Sequence, residues 1–167
     1  GDGSLPGIGN QGRFSCRPGS PFGFGMPGRI MQVGNVVYIV TNGQRASNRR
    51  LVLDGKHPAN LAPTYGGDSI GHWEGGTLVV ETVGLKGALS MGMFGGGAPT
   101  TFTPATRVTE RIRKVDGNML LEMLVKVEDP SLAKPVEQRV TAYYRPDLDV
   151  HESPCEEYSD PFEGKYS

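Results

Sequence analysis

The segment from Gly66 to Leu85, GGDSIGHWEGGTLVVETVGL, constrains the fold more than any other part of the chain. DSIGHWE and TLVVETV are strand-length runs on either side of Gly75-Gly76, the pattern of a β-hairpin closed by a tight glycine turn. Strand period then puts Val79, Glu81 and Val83 on one face of the second strand. A carboxylate planted among valines needs a partner or a proton, because an unpaired charge there is costly.

The flanking sequence repeats the hairpin theme. RIMQV, the Gly34-Asn35 turn and VVYIVT make one pair, and a third strand is expected near Arg49–Leu53, ended by Asp54-Gly55. His57 to Gly67 has two prolines and no period, so it is a loop. TRVTERIRKV, the Asp116-Gly117-Asn118 turn and MLLEMLVKVED give the strongest hairpin signal. There Met119, Leu121, Met123, Val125 and Val127 alternate with Leu120, Glu122, Leu124 and Lys126, and the first set should face the core. VEQRVTAYY adds a strand after Pro135, and LDVHES gives a weak last one. No stretch has a convincing helical period.

Eight or nine such strands predict an all-β fold, an antiparallel meander that closes into a small barrel or stacks as a sandwich. Glycines and prolines cluster at 1–28 and 84–104. The expected organisation is an extended N-terminal arm over 1–28, a single β domain over 29–160 and a tail over 161–167. The long Gly84–Pro104 connection carries Met91, Met93, Phe94 and Phe102, which suits a lid over a pocket or a weakly packed insert.

Net charge is −1 with both signs interspersed, and no basic patch is interleaved with aromatics, so nucleic acid is not an expected partner. Arg45, Arg49 and Arg50 read as a solvated strand end. The longest apolar runs are strand-sized, so no membrane span is expected. The first residues lack a basic region followed by an apolar one, which fits a cytosolic protein or a processed, mature one. Cys16 and Cys155 belong to no metal-binding spacing, and three scattered histidines make a poor metal site. If the cysteines pair, the closed loop of about 140 residues stabilises the fold by about 4–5 kcal/mol in the chain-entropy model; otherwise they are two separate buried thiols.

A second carboxylate matches the first: in TRVTERI, Val108, Glu110 and Ile112 share a face. If the faces of Glu81 and Glu110 line one cavity, the pair has the makings of an acid and a base. The competing readings are an arginine partner for each carboxylate, or solvent-facing strips that happen to contain valine. His57, in a loop before Pro58, could approach a pocket mouth, whereas His72 belongs to a mostly polar face. Gly67-Asp68-Ser69-Ile70-Gly71 matches the G-x-S-x-G of hydrolase nucleophile elbows, but a strand follows where a helix is required. Gly71-His72-Trp73 matches the G-x-W of lipocalins, yet sits mid-chain, so Trp73 is more simply a core anchor of the hairpin.

The block Gly67–Gly84, GDSIGHWEGGTLVVETVG, preceded by Leu53–Pro58, LDGKHP, resembles a poorly characterised family of secreted bacterial all-β proteins with an SIGRWEGDTLVVDTVGF-like core. Thr109-Glu110-Arg111, Glu128-Asp129-Pro130, Lys134-Pro135 and Cys155-Glu156-Glu157 follow in the order the resemblance implies. The resemblance implies export, hence a periplasmic or extracellular mature protein, and in an oxidising compartment it favours a Cys16–Cys155 disulfide. Relatives place Asn-Asp, Trp-Leu-Asp and His-Ser between the motif strand and the Glu-Arg strand. This chain has Lys86-Gly87-Ala88-Leu89-Ser90 and a Gly/Met/Phe loop instead, and Glu81, Glu110, Arg111 and His57 are the matching polar residues that remain.

Three functions follow. The first is a cofactor-independent acid–base enzyme of isomerase, lyase or cyclase type, acting on a small apolar organic molecule in a barrel cavity. Glu81 or Glu110 would move the proton, Arg111 or Tyr144 would orient the substrate, His57 would stand at the mouth, and Met91, Phe94 and Phe102 would form the lid. The second is a non-catalytic exported binder of a small ligand, and the third is a protein-interaction module; a homodimer is compatible with each. The direction of the two glutamates separates them. A shared closed cavity supports the enzyme, and separate arginine pairs around a filled core remove its main support.

Overall fold

The computed structural model describes residues 27–41, 48–89 and 100–149. Eight strands form one sheet: β1 (Pro27–Val33), β2 (Val36–Thr41), β3 (Arg49–Leu53), β4 (Asp68–Glu74), β5 (Thr77–Val83), β8 (Arg107–Val115), β9 (Leu120–Glu128) and β10 (Val136–Tyr143). Between β5 and β8, the two-residue strands β6 (Ala88–Leu89) and β7 (Thr100–Thr101) pair as a separate short ribbon. The spatial order is β1-β2-β3-β4-β5-β8-β9-β10, so each strand lies beside its predecessor in the sheet. Every pairing in it is antiparallel except β3 with β4, which run parallel with Leu51 opposite Ser69. A parallel neighbour requires the chain to travel back before the next strand starts, and residues 54–67 make that return.

The sheet curls into a half-barrel, and among the described residues β1 and β10 are open edges. The expected all-β meander is present, and its described strands form a half-barrel where a closed barrel or a sandwich was expected. The strand expected at LDVHES is irregular at Leu148 and Asp149, and its remaining residues lie outside the described ones. The N-terminal arm up to residue 26, the C-terminal tail, Met91, Phe94, Cys16 and Cys155 also lie outside them.

Register sorts the side chains into two faces. Val37, Ile39, Leu51, Leu53, Leu78, Val80, Val108, Ile112, Met123, Val125 and Val127 form the core on the inner face, joined in the same cluster by Leu85 and Phe102. On β9 the alternation holds from Met123 to Val127, but Met119 is exposed because it belongs to the 116–119 turn. That turn has Asp116, Gly117 and Asn118 all in the left-handed region, which explains the Asp-Gly-Asn sequence. Trp73 is half exposed at the hairpin end, its indole N–H donating to Gln32 at 3.1 Å, so it is not the core anchor expected. Ser69 is buried on β4 and shares a 2.8 Å hydrogen bond with Thr82, a strand-to-strand contact without the geometry of a nucleophile elbow.

Candidate functional site

Glu81 and Glu110 lie on opposite faces of the sheet. On β5 and β8, Glu81 is opposite Thr109, and Glu110 is opposite Val80. Val80, Leu78 and Thr82 point inward, so Glu110 points inward and Glu81 outward. The one-residue offset in register is decisive, because a period of two reverses the face at every step. The expected shared cavity therefore does not form.

Glu110 is fully buried, and Arg49 on β3 grips it with both terminal nitrogens, Nη2 donating to Oε1 at 2.9 Å and Nη1 to Oε2. β4 and β5 lie between β3 and β8, so the two side chains meet across the concave face like a chord across an arc. On β4 between them the inner face is tightly packed: a Cβ on Gly71 would stand 3.0 Å from both Leu51 and the Val79 carbonyl. Arg49 is thus not a solvated strand end. Its signal was legible, since Arg49 shares strand parity with Leu51 and Leu53, the complement of a lone carboxylate between Val108 and Ile112.

Glu81 belongs to a different cluster, on the outer face. The return loop carries His57 over β4 and β5, where Nδ1 lies 2.6 Å from Asp68 Oδ1 and Nε2 lies 3.2 Å from Glu81 Oε1. Arg107 of β8 pairs with the other oxygen of Glu81. A neutral imidazole has one N–H, so only the doubly protonated ring donates to both carboxylates at once. The loop is fixed by backbone bonds on both sides, Asp54 N–H to Gly71 O at 2.7 Å and Thr64 N–H to Gly84 O at 2.9 Å. Asp68 and Arg107 were not singled out in the sequence; Asp68 shows only as an outer-face neighbour of Ile70, and Arg107 only as a strand-start cation.

Beside this cluster is a half-open cleft of about 500 Å³, lined by Asp54, Gly55, Ile70, His72, Val79, Glu81 and Thr109. Ile70 and Val79 give it an apolar floor, and Glu81 stands at its wall with about one third of its side chain exposed. At the rim, Arg111 donates to Glu74 at 2.8 Å and His72 approaches it at 3.0 Å. Arg111 first, then His72, hold the Glu74 carboxyl below the ordinary carboxylate range.

The remaining candidates are dispersed. Arg111 is on the outer face of β8, opposite Val79, near the cleft but bonded to Glu74. Tyr144 is exposed beyond β10, tied by its N–H to Met119 O at 2.8 Å, and does not line the cleft. Phe102 packs into the core. Among the described residues, no three His, Cys, Asp or Glu side chains are placed to hold a metal ion, and no helix is long and apolar enough to cross a membrane.

Comparison of the chain with protein-family models, with curated proteins and with solved structures gave no match. The resemblance carried by residues 67–84 therefore stands on its motif alone.

Proposed function

We propose that this is an exported, non-catalytic protein that binds a small organic molecule in the outer-face cleft. The observation that carries the reading is Glu81. It is fixed from two sides, by His57 and Arg107, and set at the wall of a cleft floored by Ile70 and Val79. A few oriented polar groups over apolar surface are what a small-ligand site requires. Glu110, turned inward to Arg49, is removed as the second carboxylate of an acid–base pair with Glu81 across one cavity. Periplasmic or extracellular residence belongs to this proposal through the motif resemblance.

The acid–base enzyme keeps one specific support. Asp68, His57 and Glu81 form a continuous hydrogen-bonded chain through both imidazole nitrogens, a route along which a proton could reach the cleft wall.

The test uses three probes that vary charge on a compact apolar body: tryptamine, benzoate and cyclohexanol, titrated at millimolar concentration into isotope-labelled protein. Binding is expected to shift the amides of Gly55, Ile70, Gly71 and Thr109, and Glu81→Gln should abolish the shifts. Arg107 is half exposed, so loss of its ion pair costs no more than about 1 kcal/mol and the variant stays folded. Silence of these amides with all three probes overturns the reading. Conversion of a bound probe by wild type and not by His57→Asn moves the assignment to the enzyme.

A further inference from the structure

β1 bounds the sheet: it is bonded to β2 on one side and, among the described residues, to no strand on the other. Such an edge presents a row of backbone donors and acceptors, and soluble proteins guard it with charges, prolines or bulges. The two edges of this sheet differ in that protection. β10 carries Glu137 and Arg139, and Arg139 reaches back to Glu122. β1 has its proline and its irregularity only at the start, between Pro27 and Arg29, and its single charge, Arg29, is held by Asp149 at 3.1 Å. From Ile30 to Val33 the edge is uncharged.

Exposed apolar side chains lie toward both ends of the sheet, and at the β1 end they coincide with the unguarded edge. Of nine exposed large apolar side chains among the described residues, Ile30, Met31, Val33 and Tyr38 are on β1 and β2. Met31 is opposite Tyr38 and Val33 opposite Val36, so Met31, Val33 and Tyr38 make one strip on the outer face. Between the two edges that face carries paired charges: Glu74 with Arg111, Glu122 with Arg113 and Arg139, Lys126 with Glu128.

We propose that β1 pairs antiparallel with β1 of a second copy of this chain, about a two-fold axis at Met31, joining two half-barrels edge to edge. Charge argues for a second copy over a foreign strand. Opposed to itself about Met31, the edge sets Arg29 against Val33 and Ile30 against Gln32, so no like charges meet. The apolar strips of the two copies become continuous across the axis. A foreign charged strand would find nothing on 30–33 to read. The interface is small, so association is weak and depends on concentration.

Sedimentation velocity on the full chain tests this. Wild type should move from 17.9 kDa to twice that mass as concentration rises through the micromolar range. Met31 is half exposed, so Met31→Lys and Met31→Glu should keep the wild-type circular dichroism and melting profile at low concentration. Each alone should stay monomeric, because like charges meet at the axis. An equimolar mixture of the two should return to the dimer mass as a heterodimer. Wild type monomeric at every concentration, a dimer that survives in either charged variant, or a mixture that stays monomeric overturns the proposal.

Discussion

Replacing Glu110 with glutamine is the sharpest test of how this sheet is held. The Arg49–Glu110 pair has side-chain exposures of 5% and 0%, so solvent screening does not discount it. Glu110→Gln keeps the volume but leaves the Arg49 guanidinium buried against a neutral amide whose NH2 opposes one of its donors. Breaking a buried pair from one side costs about 3–5 kcal/mol. For a domain of this length each kcal/mol lowers the melting temperature by about 2–4 °C, so the variant should melt about 6–20 °C below wild type. Thermal denaturation followed by circular dichroism at neutral pH measures it. The double variant Arg49→Met/Glu110→Leu removes both charges and should recover most of the loss, giving a coupling energy far from additive. A Glu110→Gln melt within about 2 °C of wild type, or a double variant no better than the single, would refute the structural assignment. A catalytic Glu110 would have left the melt nearly unmoved.

Two further outcomes follow from local geometry. Gly84 has φ +64°, and a Cβ there would lie 2.3 Å from Leu61 Cδ2, so Gly84→Ala should destabilise by about 1–3 kcal/mol, read by the same melts; an unchanged melt would mean the 54–67 loop is not seated on Gly84. Hydroxyl donation from Ser131, then Thr103 and Thr106, holds the Asp129 carboxyl well below its ordinary value of 3.8. The ionised group therefore contributes stability that is present above that value and lost as pH falls below it. The melting-temperature gap between wild type and Asp129→Asn should be full at neutral pH and narrow under pH 3.8, whereas a constant gap would dissociate Asp129 from the acid limb.

The eight strands of the main sheet were legible because they carry their own record: period two, branched residues and turn residues at Gly34-Asn35, Gly75-Gly76 and Asp116-Gly117-Asn118, whereas β6 and β7 lay hidden in the glycine-rich connection. The inward direction of Glu110 was legible for the same reason. The outward direction of Glu81 was not, because Val79, which lines a cleft on the outer face, and the half-buried Val83 imitate a core strip. Face depends on which parity each neighbour contributes, and that is fixed by register between strands. Curvature into a half-barrel was equally hidden, since it depends on how strands stack across the whole sheet. The His57 cluster joins residues from a loop and three strands, and only the path of 54–67 brings them together.

That path has a kinetic meaning. The single parallel seam in the sheet, between β3 and β4, divides it into two antiparallel blocks, β1–β3 and β4–β10, the second itself bridged by the long connection from β5 to β8. Each block can pair its own strands without the other, but their junction waits on ordering of the intervening loop. Arg49 stands in the first block and Glu110 in the second, so their ion pair is a staple across the seam, available only once both blocks have docked. Native-state hydrogen exchange would then register two cooperative units, with the amides of β3 and β4 opening together where those units meet.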